Sequence, residues 1–315
     1  MNIFNIIKKK VRYWINAYNF NKTKEIATWT INDTQERMNY LWIVYDSCRY
    51  DSLVQARTPV LDRYSKIYSA WTPGTYTLPA HISFFTGILP TVNEPIPYVN
   101  RFHKQLISMS KAGQALDHAK DRRTIELGSS KHDMIHGLTK AGYYTVGSGA
   151  ATWFAKKVLT EGFMHFNHVR AESAESQYNY VLRKLSEKSS SKPFFAFLNL
   201  IETHTPYMHY GADREEYSMQ ARDSMEFPPR EDTGLMETKG KKLHNAQILA
   251  AEHLDKILGQ LLPQIPTNTC VMIMADHGEA FGEDGFWGHG VYHPTVMNVP
   301  MACFMLNGER ILEDN

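Results

Sequence analysis

Four short stretches carry the residue types that chemistry needs, each at the end of an apolar run or the mouth of a helix. "WIVYDSCRYD" ends on Asp46, and "VMIMADHGEAFGEDGFWGHG" delivers Asp276 and His277, with His289 further on. "FLNLIETHTPY" delivers Glu202 and His204, and "YTLPAHISFFTG" delivers Thr77. A single carboxylate after a strand is often a helix cap, and a single histidine is more often structural than a ligand. Together they form a set of hard oxygen and borderline nitrogen donors, which suits Zn²⁺ or Mn²⁺ and less clearly Mg²⁺ or Ca²⁺. An unassisted threonine hydroxyl is a poor nucleophile at neutral pH, whereas a divalent ion favours its alkoxide, as it lowers bound water to a pKa of about 7. Thr77 also stands two residues before Pro79, where an ordinary N-cap would stand. In that position the free N–H groups of the first turn face an incoming phosphate.

These residues need a frame that brings distant stretches together. Short apolar runs at 40 to 46, 66 to 71, 143 to 149, 194 to 200, 269 to 276 and 300 to 306 alternate with helical patterns. Such alternation predicts an α/β fold with a mostly parallel central sheet sandwiched by helices, whose ligand site lies beyond the carboxyl ends of the strands. The clearest helix spans 241 to 262, with Ile248, Ala251, Leu254, Ile257, Leu258 and Leu261 on one face and Pro263 and Pro266 beyond it. Residues 92 to 130 and 208 to 240 are polar and irregular, and are expected as insertions over the active-site face. We expect residues 37 to 315 to form a single catalytic domain.

The 315 residues carry a net charge of +1, with 43% apolar and 21% charged, so nothing pulls the chain globally toward nucleic acid. Three cysteines, Cys48, Cys270 and Cys303, are too few for a disulfide framework and read as core residues in a reducing compartment. Residues 1 to 36 read as a basic amphipathic arm. Ile3, Ile6, Ile7, Val11, Trp14, Ile15 and Tyr18 recur at helical spacing beside Lys8, Lys9, Lys10 and Arg12. That pattern admits packing on the domain or a peripheral contact of residues 3 to 18 with an anionic membrane. No signal peptide or membrane span is expected, which points to the cytoplasm.

The same stretches resemble the alkaline phosphatase superfamily, in its sulfatase-like and phosphoethanolamine-transferase-like branch. "DSCRYDSL" resembles the first metal-binding segment and "TPVLDRYS" the helix that follows it. "TLPAHISFFTG" resembles the nucleophile segment, "LTKAGYYTVGSG" the next helix and strand, and "THTPY" the substrate-binding turn. "ADHGEAFGEDGFWGHG" resembles the second metal segment and "VPMACFML" the strand that often follows. The resemblance implies that Asp46, Thr77, Asp276 and His277 ligate a metal, that Thr77 is the nucleophile, and that His204 and His289 face the phosphoryl or leaving group.

Departures from the pattern bear on the chemistry. Threonine cannot become the formylglycine that sulfatases use, which favours phosphorus over sulfur. His81 replaces the family's arginine one turn beyond Thr77, and reads as an orienting residue or a packed one. One tight metal is expected, with a second, weaker ion at Glu202, His204 and His289. Arg49 and Asp51 read as an ion pair rather than substrate-steering groups, and Glu279 and Glu283 as turn or cap residues. Arg101 and Lys104, in the first insertion, read as a solvated face. The expected activity is metal-dependent phosphoryl transfer through phosphothreonine, foremost as a phosphatase or phosphodiesterase on a phosphate ester. Phosphoethanolamine- or phosphoglycerol-type transfer to a glycan, lipid or natural-product hydroxyl, sulfatase-like hydrolysis without formylglycine, and a non-catalytic metal-binding protein are the alternatives.

Overall fold

The computed structural model describes residues 26–31, 37–87, 133–169, 173–189, 192–207 and 236–307. The expected arm up to residue 25, the insertion at 92 to 130 and residues 208 to 235 of the second insertion lie outside them. Seven strands form the main sheet: β1 (Asn39–Tyr45), β2 (Tyr68–Trp71), β3 (Tyr144–Gly149), β4 (His165–His168), β5 (Phe194–Leu200), β6 (Thr269–Met274) and β9 (Asn298–Met305). Their order is β2-β9-β6-β1-β5-β3-β4. The five strands from β6 to β4 run parallel, while β9 is antiparallel to β6 and β2 to β9. A two-stranded ribbon of β7 (Ala280–Phe281) and β8 (Trp287–Gly288) stands apart.

Burial explains the order. Every residue of β5 is buried, as a strand covered on both faces requires, and its sequence "FFAFLNL" is nearly all apolar. Phe194, Ala196 and Leu198 face one layer, with Tyr178, Leu182 and Leu185 of a helix at Ala174–Ser186 and Leu254, Ile257 and Leu258 of a longer one at Lys241–Leu261. Phe195 and Phe197 face the other, with Leu78, Ile82 and Phe85 of the helix Thr77–Thr86, Ile135 of the helix Met134–Lys140, and Phe154. Each Leu, Ile or Phe side chain among them contributes about 1.5–3 kcal/mol when fully buried. β4, "HFNH", is half-buried at the sheet edge, and its lack of an apolar run is why the sequence pattern does not announce it. Ile26, Trp29 and Ile31 pack on the core, with the Trp29 amide donating to Gln264 Oε1 at 2.9 Å.

The register sets the site. Val44 of β1 pairs with Met274 of β6, and Tyr45 with Leu200 of β5, so the carboxyl ends of three neighbouring strands meet at one edge. Asp46, Asp276 and the loop that carries His204 leave the sheet there.

Candidate functional site

Asp46, Asp276 and His277 are each fully buried, and their ligating atoms lie within 4.8 Å of one another. His277 Nε2 is 3.8 Å from Asp46 Oδ1, 3.7 Å from Asp276 Oδ2 and 3.5 Å from the Thr77 hydroxyl. The remaining polar atoms of this cluster are spoken for. Asp276 Oδ1 accepts the amides of Ser47 at 3.1 Å and His277 at 3.0 Å, and Asp46 Oδ2 accepts Asn199 Nδ2 at 3.0 Å. His277 Nδ1 donates to the Gly278 carbonyl at 2.9 Å, which leaves Nε2 with its lone pair toward the carboxylates. Asp276 Oδ2 is buried without a hydrogen-bond partner. An orphaned carboxylate oxygen, a free imidazole nitrogen and a second carboxylate are what a divalent ion needs, so the donor set fits one. Burial, then the neighbouring Asp46, holds the Asp276 carboxyl well above the usual carboxylate range, and burial keeps His277 neutral.

Thr77 is the first residue of its helix rather than its cap. The cap position is Tyr76, with no side-chain capping bond, so the Thr77 hydroxyl is not committed to the backbone and turns toward His277 instead. His81 Nδ1 donates to the Thr77 carbonyl at 2.8 Å, and lies 3.6 Å from Asp276 Oδ2. Its ring is walled by Phe84, Phe85, Phe154 and Phe197, and burial lowers its pKa to about 4. It is a neutral, packed residue that steadies the turn bearing Thr77.

The second cluster differs in membership from the one expected. His204, Glu279 and His289 come together, and Glu202 does not join them. His289 Nδ1 lies 2.8 Å from Glu279 Oε1, and its ring centroid is 4.4 Å from that of His277 and 5.3 Å from that of His204. Burial disfavours charge on His289, but the Glu279 carboxylate outweighs it and raises the imidazole pKa. Glu279, read in the sequence as a turn residue, is fully buried with Oε2 unpartnered. Its position three residues beyond Asp276 is the signal that was available. Glu202 points away: Oε1 accepts the Ala174 amide at 2.6 Å, at the mouth of the helix Ala174–Ser186.

Burial pushes the Glu202 pKa up to about 8, against about 4.3 in an unfolded chain. The folded value is the higher one, so the stability it contributes is full below about pH 4 and is lost as pH rises through about 8. Glu202→Gln keeps the acceptor and the shape. It is expected to flatten the fall in Tm between about pH 4 and about pH 8, followed by circular dichroism; a fall as steep as in the parent protein would refute the assignment.

A family model described as Sulfatase matches residues 38–301. The chain belongs to the sulfatase family. Its fold is the alkaline phosphatase and sulfatase type, and the solved structures most like it include three phosphoethanolamine transferases. The integral membrane lipooligosaccharide phosphoethanolamine transferase A of Neisseria meningitidis superposes with a TM-score of 0.56 at 14% identity, over 96% of this chain and 54% of that one. This chain therefore spans about half the length of that protein. The C-terminal periplasmic domain of phosphoethanolamine transferase EptC from Campylobacter jejuni gives a TM-score of 0.56 at 14% identity, over 88% and 83% of the two chains. The corresponding domain of EptC from Escherichia coli, in complex with Zn, gives 0.52 at 13%, over 89% and 77%. No curated protein matches the sequence. Among the described residues no helix is long and apolar enough to cross a membrane.

In this sulfatase-family chain four residues fix the loops that carry the site. Gln247, fully buried on the long helix, accepts the Arg49 amide at 3.2 Å and the Ser52 hydroxyl at 2.6 Å. Its amide nitrogen donates to the carbonyls of Ser47 at 2.8 Å and Thr203 at 2.9 Å, tying the Asp46 loop to the His204 loop. Arg49 pairs with Asp51 at 2.6 Å and Glu283 at 2.5 Å and donates to the Glu279 carbonyl at 3.3 Å, so it is the expected ion pair and joins the Asp46 segment to the Glu279 segment. Ser47 holds a left-handed conformation at φ 62°, the strain that lets its amide reach Asp276 directly after Asp46. Gly278 is required by a close approach: a Cβ there would sit 2.1 Å from the Thr295 carbonyl oxygen.

Proposed function

We propose that this protein transfers a phosphoryl-linked group from a phosphate ester, through a covalent phosphothreonine at Thr77, to the hydroxyl of a glycan or lipid head group. The observation that carries the reading is the uncommitted Thr77 hydroxyl, 3.5 Å from His277 Nε2 at the edge of two buried carboxylates. Asp46, Asp276 and His277, with Thr77, would hold one divalent ion, Zn²⁺ or Mn²⁺ by donor type; when bound, it supplies the positive charge that lowers the pKa of the Thr77 hydroxyl. Thr77 Oγ1 forms the bond to phosphorus in line as the bond to the leaving oxygen breaks. The amides of Thr77 and Leu78, ahead of Pro79 at the start of the helix, have no intrahelical acceptor, and favour the charge on the non-bridging oxygens. Glu279 supports the protonated form of His289, which gives its proton to the leaving oxygen and then takes one from the acceptor hydroxyl. His204 stands beside it to orient the phosphoryl group. The same trio, His204, Glu279 and His289, offers a place for a second, weaker ion.

The transferase reading replaces hydrolysis as the foremost one because the fold is shared with the phosphoethanolamine transferases described above. It also leaves the compartment open to direct localisation, since those neighbours include a membrane protein and periplasmic domains. The test is to load the protein with Zn²⁺ or Mn²⁺, offer p-nitrophenyl phosphoethanolamine, and follow nitrophenol release and intact mass. A burst with a phosphoethanolamine adduct on Thr77, discharged faster by added glycerol or glucosamine than by water, is the expected result. Discharge at one rate whatever alcohol is present would make the protein a hydrolase. Turnover without any adduct would end the covalent reading.

A further inference from the structure

At the opposite end of β6 from Asp276, four sulfur-bearing side chains occupy a two-by-two block on one face of two antiparallel strands. Cys270 stands directly opposite Met305, and Met272 directly opposite Cys303. Val271 and Phe304, between them, face the other layer and join its core. On the block's own face Cys270, Cys303 and Met305 form a small cluster of their own, with Met272 and Tyr40 packed against it. The two cysteine sulfurs lie 3.9 Å apart across the diagonal, as free thiols. Cysteines 270 and 303 are each 8% exposed and Met305 6%, so the cluster is dry but within reach of solvent.

We propose that Cys270, Cys303, Met272 and Met305 form a binding site for one soft monovalent cation of the Cu(I) type. Two sulfurs 3.9 Å apart can both lie about 2.3 Å from a single ion without backbone movement, the usual metal–thiolate length. Directly opposite residues in an antiparallel pair have Cβ atoms about 4.5–5.5 Å apart, which places a flexible thioether beside each thiol. Thiolate and thioether donors together select Cu(I) over the hard divalent ions that suit the carboxylate cluster. Strand packing alone does not call for this set, because β-branched and aromatic residues fill a pleated face better than cysteine and methionine. Binding releases the thiol protons and joins β6 to β9. Cys270 and Asp276 are six residues apart along one extended strand, about 20 Å, so the two sites are separate.

The inference is independent of the proposed activity. Ag(I), a redox-inert stand-in for Cu(I), would be titrated anaerobically into the reduced full chain and followed by thiolate charge-transfer absorption in the near ultraviolet and by native mass spectrometry. One ion bound, a higher Tm, and loss of both in Cys270→Ser/Cys303→Ser are expected. Met272→Leu/Met305→Leu, which preserves volume, is expected to weaken binding at least tenfold and serves if the serine pair fails to fold. Ag(I) retained unchanged in both double variants, at Cys48 or the histidines, would overturn the proposal. So would a chain that binds no ion, or that only forms a Cys270–Cys303 disulfide under oxidant.

Discussion

Thr77→Ala is expected to lower kcat for phosphate-ester turnover roughly ten-thousand-fold or more, the scale seen when a covalent nucleophile is removed. The side chain is 4% exposed, and its hydroxyl makes no backbone cap, so the helix Thr77–Thr86 should persist and Tm should stay near that of the parent. Asp46, Asp276 and His277 remain, so metal binding should weaken rather than vanish. Thr77→Ser restores a hydroxyl at the same place and should recover much of the lost rate, together with a phosphoserine adduct. Steady-state kinetics with intact-mass detection check all three variants. An alanine variant as active as the parent would remove the nucleophile from Thr77.

Asp276→Asn is expected to separate stability from function. Asp276 Oδ1 accepts two backbone amides that an asparagine carbonyl would also accept, whereas Oδ2 is an orphan beside Asp46. Burial and the Asp46 charge raise the Asp276 pKa in the folded state, so its contribution to metal-free stability is full below about pH 4 and is lost as pH rises toward the folded value. Removing the ionisable group removes that loss. In chelator-treated protein at about pH 7.5 the variant should melt higher than the parent. Added Zn²⁺ should reverse the order, because only the parent retains the full donor set, and turnover should be abolished. A metal-free variant that melts lower than the parent would show that Asp46 and Asp276 do not oppose each other.

The residues of the first cluster were legible in the sequence because parallel strands advertise their carboxyl ends: an apolar run followed by a polar residue is a local pattern. Asp46, Asp276, His277 and His204 all lie where such runs end. The membership of the second cluster was not legible. Glu202 and Glu279 both sit near a histidine in sequence, and only the path of the chain after β5 and β6 separates them. The loop after β5 turns Glu202 toward the helix Ala174–Ser186, while the segment after Asp276 brings Glu279 under His289. Gln247 was invisible for a stronger reason. Its partners Ser47 and Arg49 are about two hundred positions distant, and nothing in a helical apolar pattern marks one glutamine as a brace.

The sequence by itself determined the layered α/β fold, the sulfatase family and the strand ends from which the first cluster is drawn, because periodicity and strand-end composition are local properties that burial enforces. The tertiary structure decided which carboxylate serves the histidines, freed the Thr77 hydroxyl from capping, and placed two thiols and two thioethers on one sheet face. Those outcomes depend on the register between β6, β1 and β9 and on loop direction. A shift of one residue in the pairing of β6 with β9 would put the two sulfur pairs on opposite faces.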